Sequence, residues 1–277
     1  MAMKSEFEHA DWQERTLLIL GSTYPNHSKK YVEVACTGAI DESTGRMIRI
    51  HPMPRRQLEP ENRFQDFQRV RARIKRNFED GRVDSMRIDP PSITPLEVIP
   101  PASHEARRNY IERCPNLVGS VEELFDRLKT DGMSLGIVRP KELVRVYLKQ
   151  RSAKDVAAWH EKEDDLLRQQ TMAGEKPPRP LDCPVVDFHV SWRCDDARCK
   201  THDMTVKTWG LHELYRKLEG DARRDEKVKA KMLQTFDLAK RDVFMFFGTF
   251  VGRRFEFGLM GAYAPERLVQ MSLGLDR

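Results

Sequence analysis

The clearest regularity in the chain is a period of two over Val70 to Phe78 (VRARIKRNF). Val70, Ala72 and Ile74 fall on one face and Arg71, Arg73 and Lys75 on the other, the signature of a strand with one buried side. Thr16 to Leu20 (TLLIL) is a short apolar run closed by Gly21 and predicts a buried strand. Arg46 to His51 predicts another, ended by Pro52 and Pro54, and a weaker one covers Arg82 to Ile88. Tyr31 to Ile40 fits helix and strand equally. Helical spacing is firmest over Ser120 to Lys129, where Val121, Leu124, Phe125 and Leu128 share a face. Ser120 is the expected N-cap there, with Glu123 completing a capping box.

Met133 to Val138 predicts a short strand, Lys141 to Lys149 an element of open type, and Ala153 to about Gln170 a helix capped by Ser152. Leu211 to Leu218 reads as helix, and the charged stretch after it carries the pattern to about Lys240. Val243 to Phe250 and Phe255 to Tyr263 form two apolar strands. Strands and helices do not alternate regularly, which points to an α+β fold of mainly antiparallel strands with packed helices and a metal-binding strand hairpin. The expected division is a flexible start over 1–15, a basic α+β domain over 16–170, and a metal-hairpin α+β domain over 181–277. Between them 171–180 (TMAGEKPPRP) serves as linker or long loop.

Phe188 to Trp209 predicts the hairpin itself: a strand, a tight polar loop, and a second strand. Cys194 is followed after four residues by Cys199 and after two more by His202, a spacing suited to local metal ligation. The intervening Asp195, Asp196, Ala197, Arg198, Lys200 and Thr201 cannot form a core, so an ion is a natural way to order the loop. Cys183 is the expected fourth donor, with zinc the expected metal and an iron–sulfur cluster the alternative. The chain's five cysteines are too scattered for a disulfide framework.

The run WRCDDARCKTHDMTVKTWGLHELYRKL resembles a motif of an uncharacterised family of bacterial proteins, and GRMIRIHPMPRR resembles their other recognisable stretch. The resemblance implies that Cys194, Cys199 and His202 act as a unit and implies no activity. Similar motifs carry an acid after the tryptophan of the second strand, where this chain has Gly210 after Trp209.

Charge narrows the partner. Ten lysines and arginines against three acids give Arg46–Arg76 a charge of +7, so a total of +5 leaves about −2 elsewhere. The expected surface for the phosphate backbone of DNA or RNA is Arg55, Arg56, Arg69, Arg71, Arg73, Lys75 and Arg76, since guanidinium forks match phosphate oxygens. Trp192, Tyr215 and Phe244 are expected in the core. A second reading is a metal-dependent nuclease or other nucleic-acid-processing enzyme, with Asp187, Asp203 and Lys207 the weak catalytic candidates. A third is a pocket for a nucleotide or modified base formed by Tyr24, Asn26, His27 and His51. Glycine-rich phosphate loops, HExxH and GxSxG are absent. The polar start and the lack of an eighteen-residue apolar run give an expected cytoplasmic location without membrane contact.

Overall fold

Alternation explains the first half of the chain. The computed structural model describes residues 10–172, 179–250 and 252–267; positions 1–9 of the expected start over 1–15 and positions 173–178 of the expected linker lie outside it. Strands β1 (Gln13–Ser22), β2 (Asn26–Ser28), β3 (Val32–Asp41) and β4 (Arg46–Met53) are followed by β5 (Gln68–Arg76), β6 (Ser85–Ile88) and β7 (Thr94–Val98). β1, β3, β4, β6 and β5 pair in that order, and β5 returns to pair with β1, closing a small barrel. All of these pairings are antiparallel except β4 with β6. β2 and β7 extend the barrel at β3 and β5.

The uninterrupted apolar run in β1 follows from burial on both sides. Leu17 and Ile19 join Ala39, Ile48, Ile50 and Val70 in one core. Leu18 and Leu20 join Ile40 and Met47 in a second core shared with Leu135, Ile137, Phe244 and Phe246. A strand with two buried faces loses its period of two. β5 keeps it, because Val70, Ala72 and Ile74 are buried while Arg71 and Arg73 are exposed.

After α1 (His104–Glu112), pairing changes sheet. The second sheet takes β8 (Leu117–Val118), β9 (Leu135–Val138) and β10 (Glu142–Gln150), with α2 (Val121–Thr130) between β8 and β9. Helix α3 (Ala153–Met172) leads to β11 (Val186–Arg193) and β12 (His202–Val206). Helices α4 (Trp209–Lys217) and α5 (Arg224–Thr235) precede β13 (Phe244–Phe250) and β14 (Arg253–Tyr263). The order is β10-β11-β12-β14-β13-β9-β8, a mostly antiparallel sheet. The architecture is therefore mixed α+β. Strand pairing divides the chain between Val98 and Leu117, ahead of the expected boundary at 171–180, because β8 to β10 pair only with one another and with strands from the far end. No helix among the described residues is long and apolar enough to cross a membrane.

Polar contacts bind barrel to sheet. Arg82 Nη1 donates to the Thr249 carbonyl at 2.7 Å, and Met47 N donates to Asn116 Oδ1 at 2.9 Å. Tyr24 N donates to the Lys207 carbonyl at 2.8 Å beside an isolated bridge between Thr23 and Thr208.

Gly136 in β9 lets α2 sit close. A Cβ there would stand 2.0 Å from Leu124 Cδ2. Gly136→Ala is expected to destabilise by about 1–3 kcal/mol through overpacking, seen as a lower urea midpoint at unchanged slope.

Candidate functional site

Ser120 caps α2 as the sequence suggests, its Oγ accepting from Glu123 N at 3.0 Å. The same hydroxyl donates to Asp196 Oδ2 at 2.7 Å, so the cap also holds the loop between β11 and β12. Arg198 adds a contact to Asp126 at 2.8 Å. Trp192 pairs with His202 across the hairpin, which leaves Cys194 and Cys199 in the connection. Glu122, in the first turn of α2, is thereby carried to the cysteines.

Glu122, Cys194, Cys199 and His202 bring one ligand atom each within 4.8 Å of the others. Cys194 Sγ lies 2.9 Å from Glu122 Oε2 and 3.3 Å from His202 Nε2. His202 Nε2 is 3.4 Å from both Cys199 Sγ and Glu122 Oε1. Donors bound tetrahedrally at zinc distances stand about 3.3–3.8 Å apart, so a small contraction or expansion around an ion suffices. Cys194 N donates to Cys199 Sγ at 3.4 Å, a contact that favours thiolate. Burial, then the Glu122 carboxylate, push the Cys194 thiol up to about 12, and burial pulls His202 down. Thr201, next to His202, has a φ of 87°, a costly backbone for a β-branched residue that surrounding contacts must hold.

The expected fourth donor, Cys183, is elsewhere. It packs with Tyr24, Trp159, Leu181 and Trp209. Glu122 takes that corner instead, 72 residues before Cys194 and beyond any local spacing signal.

The four pocket candidates do come together. Tyr24, Asn26, His27 and His51 line a cavity of about 460 Å³ between the barrel and the second sheet. The sheet contributes Lys207, Thr249, Arg253 and Met260, and α4 contributes His212. Arg49, Arg82 and Arg151 complete a lining with five lysines and arginines, three histidines and no carboxylate among the described residues. Arg49 is only 2% exposed and bonds to Ser134 and Cys36, with no carboxylate oxygen within 4.0 Å among the described residues. Asp187, which lines an adjoining cavity that shares Asn26, His27 and Arg151, accepts from Arg151 at 2.9 Å and from Lys207 at 3.2 Å. Asp80 pairs with Arg82, and Glu256 with Arg253 at 2.8 Å. With Asp84, which also acts on Arg82, four carboxylates thus face five cations.

Burial holds His51 down at about 4 and His212 down at about 3, with neighbouring cations adding to it. Both are neutral in the folded protein near neutral pH. Below about 6.5 the unfolded chain takes up these protons first, so stability is complete above that value and falls as pH drops toward 4. The expected loss by pH 5 is on the order of 3 kcal/mol, read as a lower urea midpoint than at pH 7.5. His51→Gln should flatten the difference.

The arginine surface does not form one free face. Arg55 bonds to Ser22 Oγ at 2.5 Å and the Phe64 carbonyl at 3.2 Å. Arg56 pairs with Glu33 at 2.8 Å, Arg69 with Glu42 and Glu97, and Arg73 with Asp89. Arg76 donates to the Asn77 and Ser85 carbonyls. Arg71 lies 3.9 Å from Glu14, and Lys75 sits over the Trp12 ring. Of the catalytic candidates, Asp187 and Lys207 pair with each other, whereas Asp203 accepts from Tyr147 and meets His189 and Arg145. Neither acid joins a group of three converging metal donors among the described residues. Trp192, Tyr215 and Phe244 are core residues.

Two family models match the chain, one described as Domain of unknown function (DUF8758) over residues 13–113, the other as Domain of unknown function (DUF8757) over residues 118–276. Their junction coincides with the change of sheet at Leu117. No curated protein matches. Since the second model covers more than half of the chain, including the Cys–Cys–His–Glu cluster, this protein belongs to the family described as Domain of unknown function (DUF8757).

Proposed function

We propose that this protein binds a phosphate-bearing ligand of the nucleotide or nucleic-acid class in the cavity between barrel and sheet, and that its metal centre is structural. The observation that carries the reading is a cavity of about 460 Å³ lined by eight basic or imidazole side chains and, among the described residues, no carboxylate. Clustered positive charge in a low-dielectric cleft concentrates anions. Nucleic-acid chemistry is favoured over anions in general by the neighbouring barrel. It has the strand count of small Greek-key barrels that take oligonucleotides or oligosaccharides.

Zinc suits the centre best. Two thiolates, an imidazole and a carboxylate are all zinc donors, and four of them close a structural site. An iron–sulfur cluster of the common kinds calls for four cysteines, or two cysteines with two histidines, which this set does not supply. The ion would join α2 to the β11–β12 connection and so fix the start of β12, the strand that leads directly to Lys207.

The arginine strand remains a second reading for DNA or RNA, favoured by the exposure of Arg71 and Arg73. The two surfaces separate by salt dependence. Binding of a short single-stranded DNA or RNA is measured between 50 and 200 mM salt, roughly the range where phosphate contacts are most visible. Loss of slope in Lys207→Met with Arg253→Met supports the cavity. Loss only in Arg71→Met with Arg73→Met transfers binding to the barrel face. Absence of binding to either polymer or to inorganic phosphate overturns both.

A further inference from the structure

We infer that the cavity is built to take one nucleoside monophosphate unit, with its phosphate near Lys207, Arg151 and Arg253 and its planar ring against Tyr24, Phe250 and Met260. This deepens the reading above and rests on it. The volume is the first argument: 460 Å³ lies among pockets that enclose whole small-molecule ligands, about 300–1,000 Å³, and exceeds what a lone phosphate fills.

The distribution of polarity is the second argument. Arg151 and Lys207 share Asp187, so their two charges exceed its one and leave a positive remainder beside the mouth. Arg253 is 59% exposed and stands at that mouth. Among these cations the lining also carries Val34, Tyr24, Phe250 and the largely buried Met260. A ligand that joins an anionic group to a flat ring matches that mixture of cations and aromatic surface.

The third argument lies in two glycines of the wall. A Cβ on Gly258 would stand 2.2 Å from Phe250 Cζ, so the missing side chain is what lets the Phe250 ring lie against β14. A Cβ on Gly248 would meet Met260 Sδ at 2.4 Å and Arg49 Nη2 at 3.1 Å. Both glycines line the cavity, and both keep bulky groups flush with its wall. Arg253 stands over the Phe250 ring at 4.7 Å, and an incoming phosphate would draw this exposed guanidinium off the ring and free its face for a base. A base stacked on that ring gains what base–aromatic contacts give, roughly tenfold or more in affinity.

The test uses the full chain with zinc and titration calorimetry against inorganic phosphate, ribose 5-phosphate, the four ribonucleoside 5′-monophosphates and a short single-stranded oligonucleotide. At least one monophosphate should bind about tenfold more tightly than ribose 5-phosphate. Phe250→Ala should abolish that margin and leave ribose 5-phosphate unchanged. Gly258→Ala should do the same by displacing the ring, which gives a second variant if one folds poorly. Monophosphates no tighter than ribose 5-phosphate would overturn the inference while the anion-binding reading stands. No binding by any phosphate compound would remove both. An oligonucleotide that binds more tightly and competes with the monophosphate identifies a strand as the source of the unit; one that binds no more tightly identifies a free nucleotide. An oligonucleotide that binds without competing, and is indifferent to Phe250→Ala, also overturns it.

Discussion

Replacing Cys194 by Ser is expected to release zinc and lower the melting temperature by about 6–12 °C. The ion would cross-link Glu122 on α2 to donors 72 and more residues later, and closing so long a loop constrains the unfolded chain strongly. A loss of roughly 3 kcal/mol is a modest share of what structural zinc supplies elsewhere, and for a chain of this size each kcal/mol moves the midpoint by about 2–4 °C. The measurement is metal content of the untagged protein by mass spectrometry together with calorimetric melting. Glu122→Ala should lose metal as well, whereas Cys183→Ser should keep one zinc per chain. Equal metal content in the Cys194 and Cys183 variants would remove the centre from the account. Brown protein carrying iron would replace zinc with a cluster.

Lys207→Met should weaken binding of a phosphate-bearing ligand by about 10- to 100-fold, the worth of one charge-assisted hydrogen bond in a partly desolvated site. The substitution is well chosen because it leaves no stranded acid: Asp187 keeps Arg151 at 2.9 Å. Burial lowers the proton affinity of Lys207 and Asp187 only partly offsets it, so an incoming anion would help to hold the amine protonated. Melting should shift little, and fluorescence anisotropy with a labelled oligonucleotide reads the affinity directly. A variant that binds like the parent would place the anion away from this cavity.

How much of this was legible beforehand depends on whether the signal is local. The period of two in β5 and the Ser120 cap are local, and both stand in the structure as the residues suggest. Cys194, Cys199 and His202 converge because a single hairpin loop carries them. Glu122 escaped notice because nothing in VEELFDRLK marks it among three acids on one helix; only the docking of α2 through Leu124 on Gly136 singles it out. Cys183 misled for the complementary reason, being near in sequence yet packed with Trp159 and Trp209. Tyr31 to Ile40 fits two patterns because only residues 37–41 of β3 are buried on two faces, while ahead of them Glu33 is buried and Val32 and Val34 are half-buried, so apolar positions do not mark the buried ones. The arginines were countable, but their partners Glu33, Glu42, Glu97 and Asp89 come from other strands and connections, so their neutralisation was not. Tyr24, Asn26, His27 and His51 were found as one half of a cavity whose other half lies beyond residue 200.

The second apolar core, where Leu18, Leu20, Ile40 and Met47 of the barrel meet Leu135, Ile137, Phe244 and Phe246, has a consequence for dissection of the molecule. A cut made between Val98 and Leu117 yields fragments that each bare a sticky raw side, and neither should stay monodisperse alone. Mixed in equal amounts they should reassemble, and the restored seam would recreate the gap in which a ligand sits. Complementation of split halves is therefore the natural behaviour of this chain, with recovery of ligand uptake as its readout.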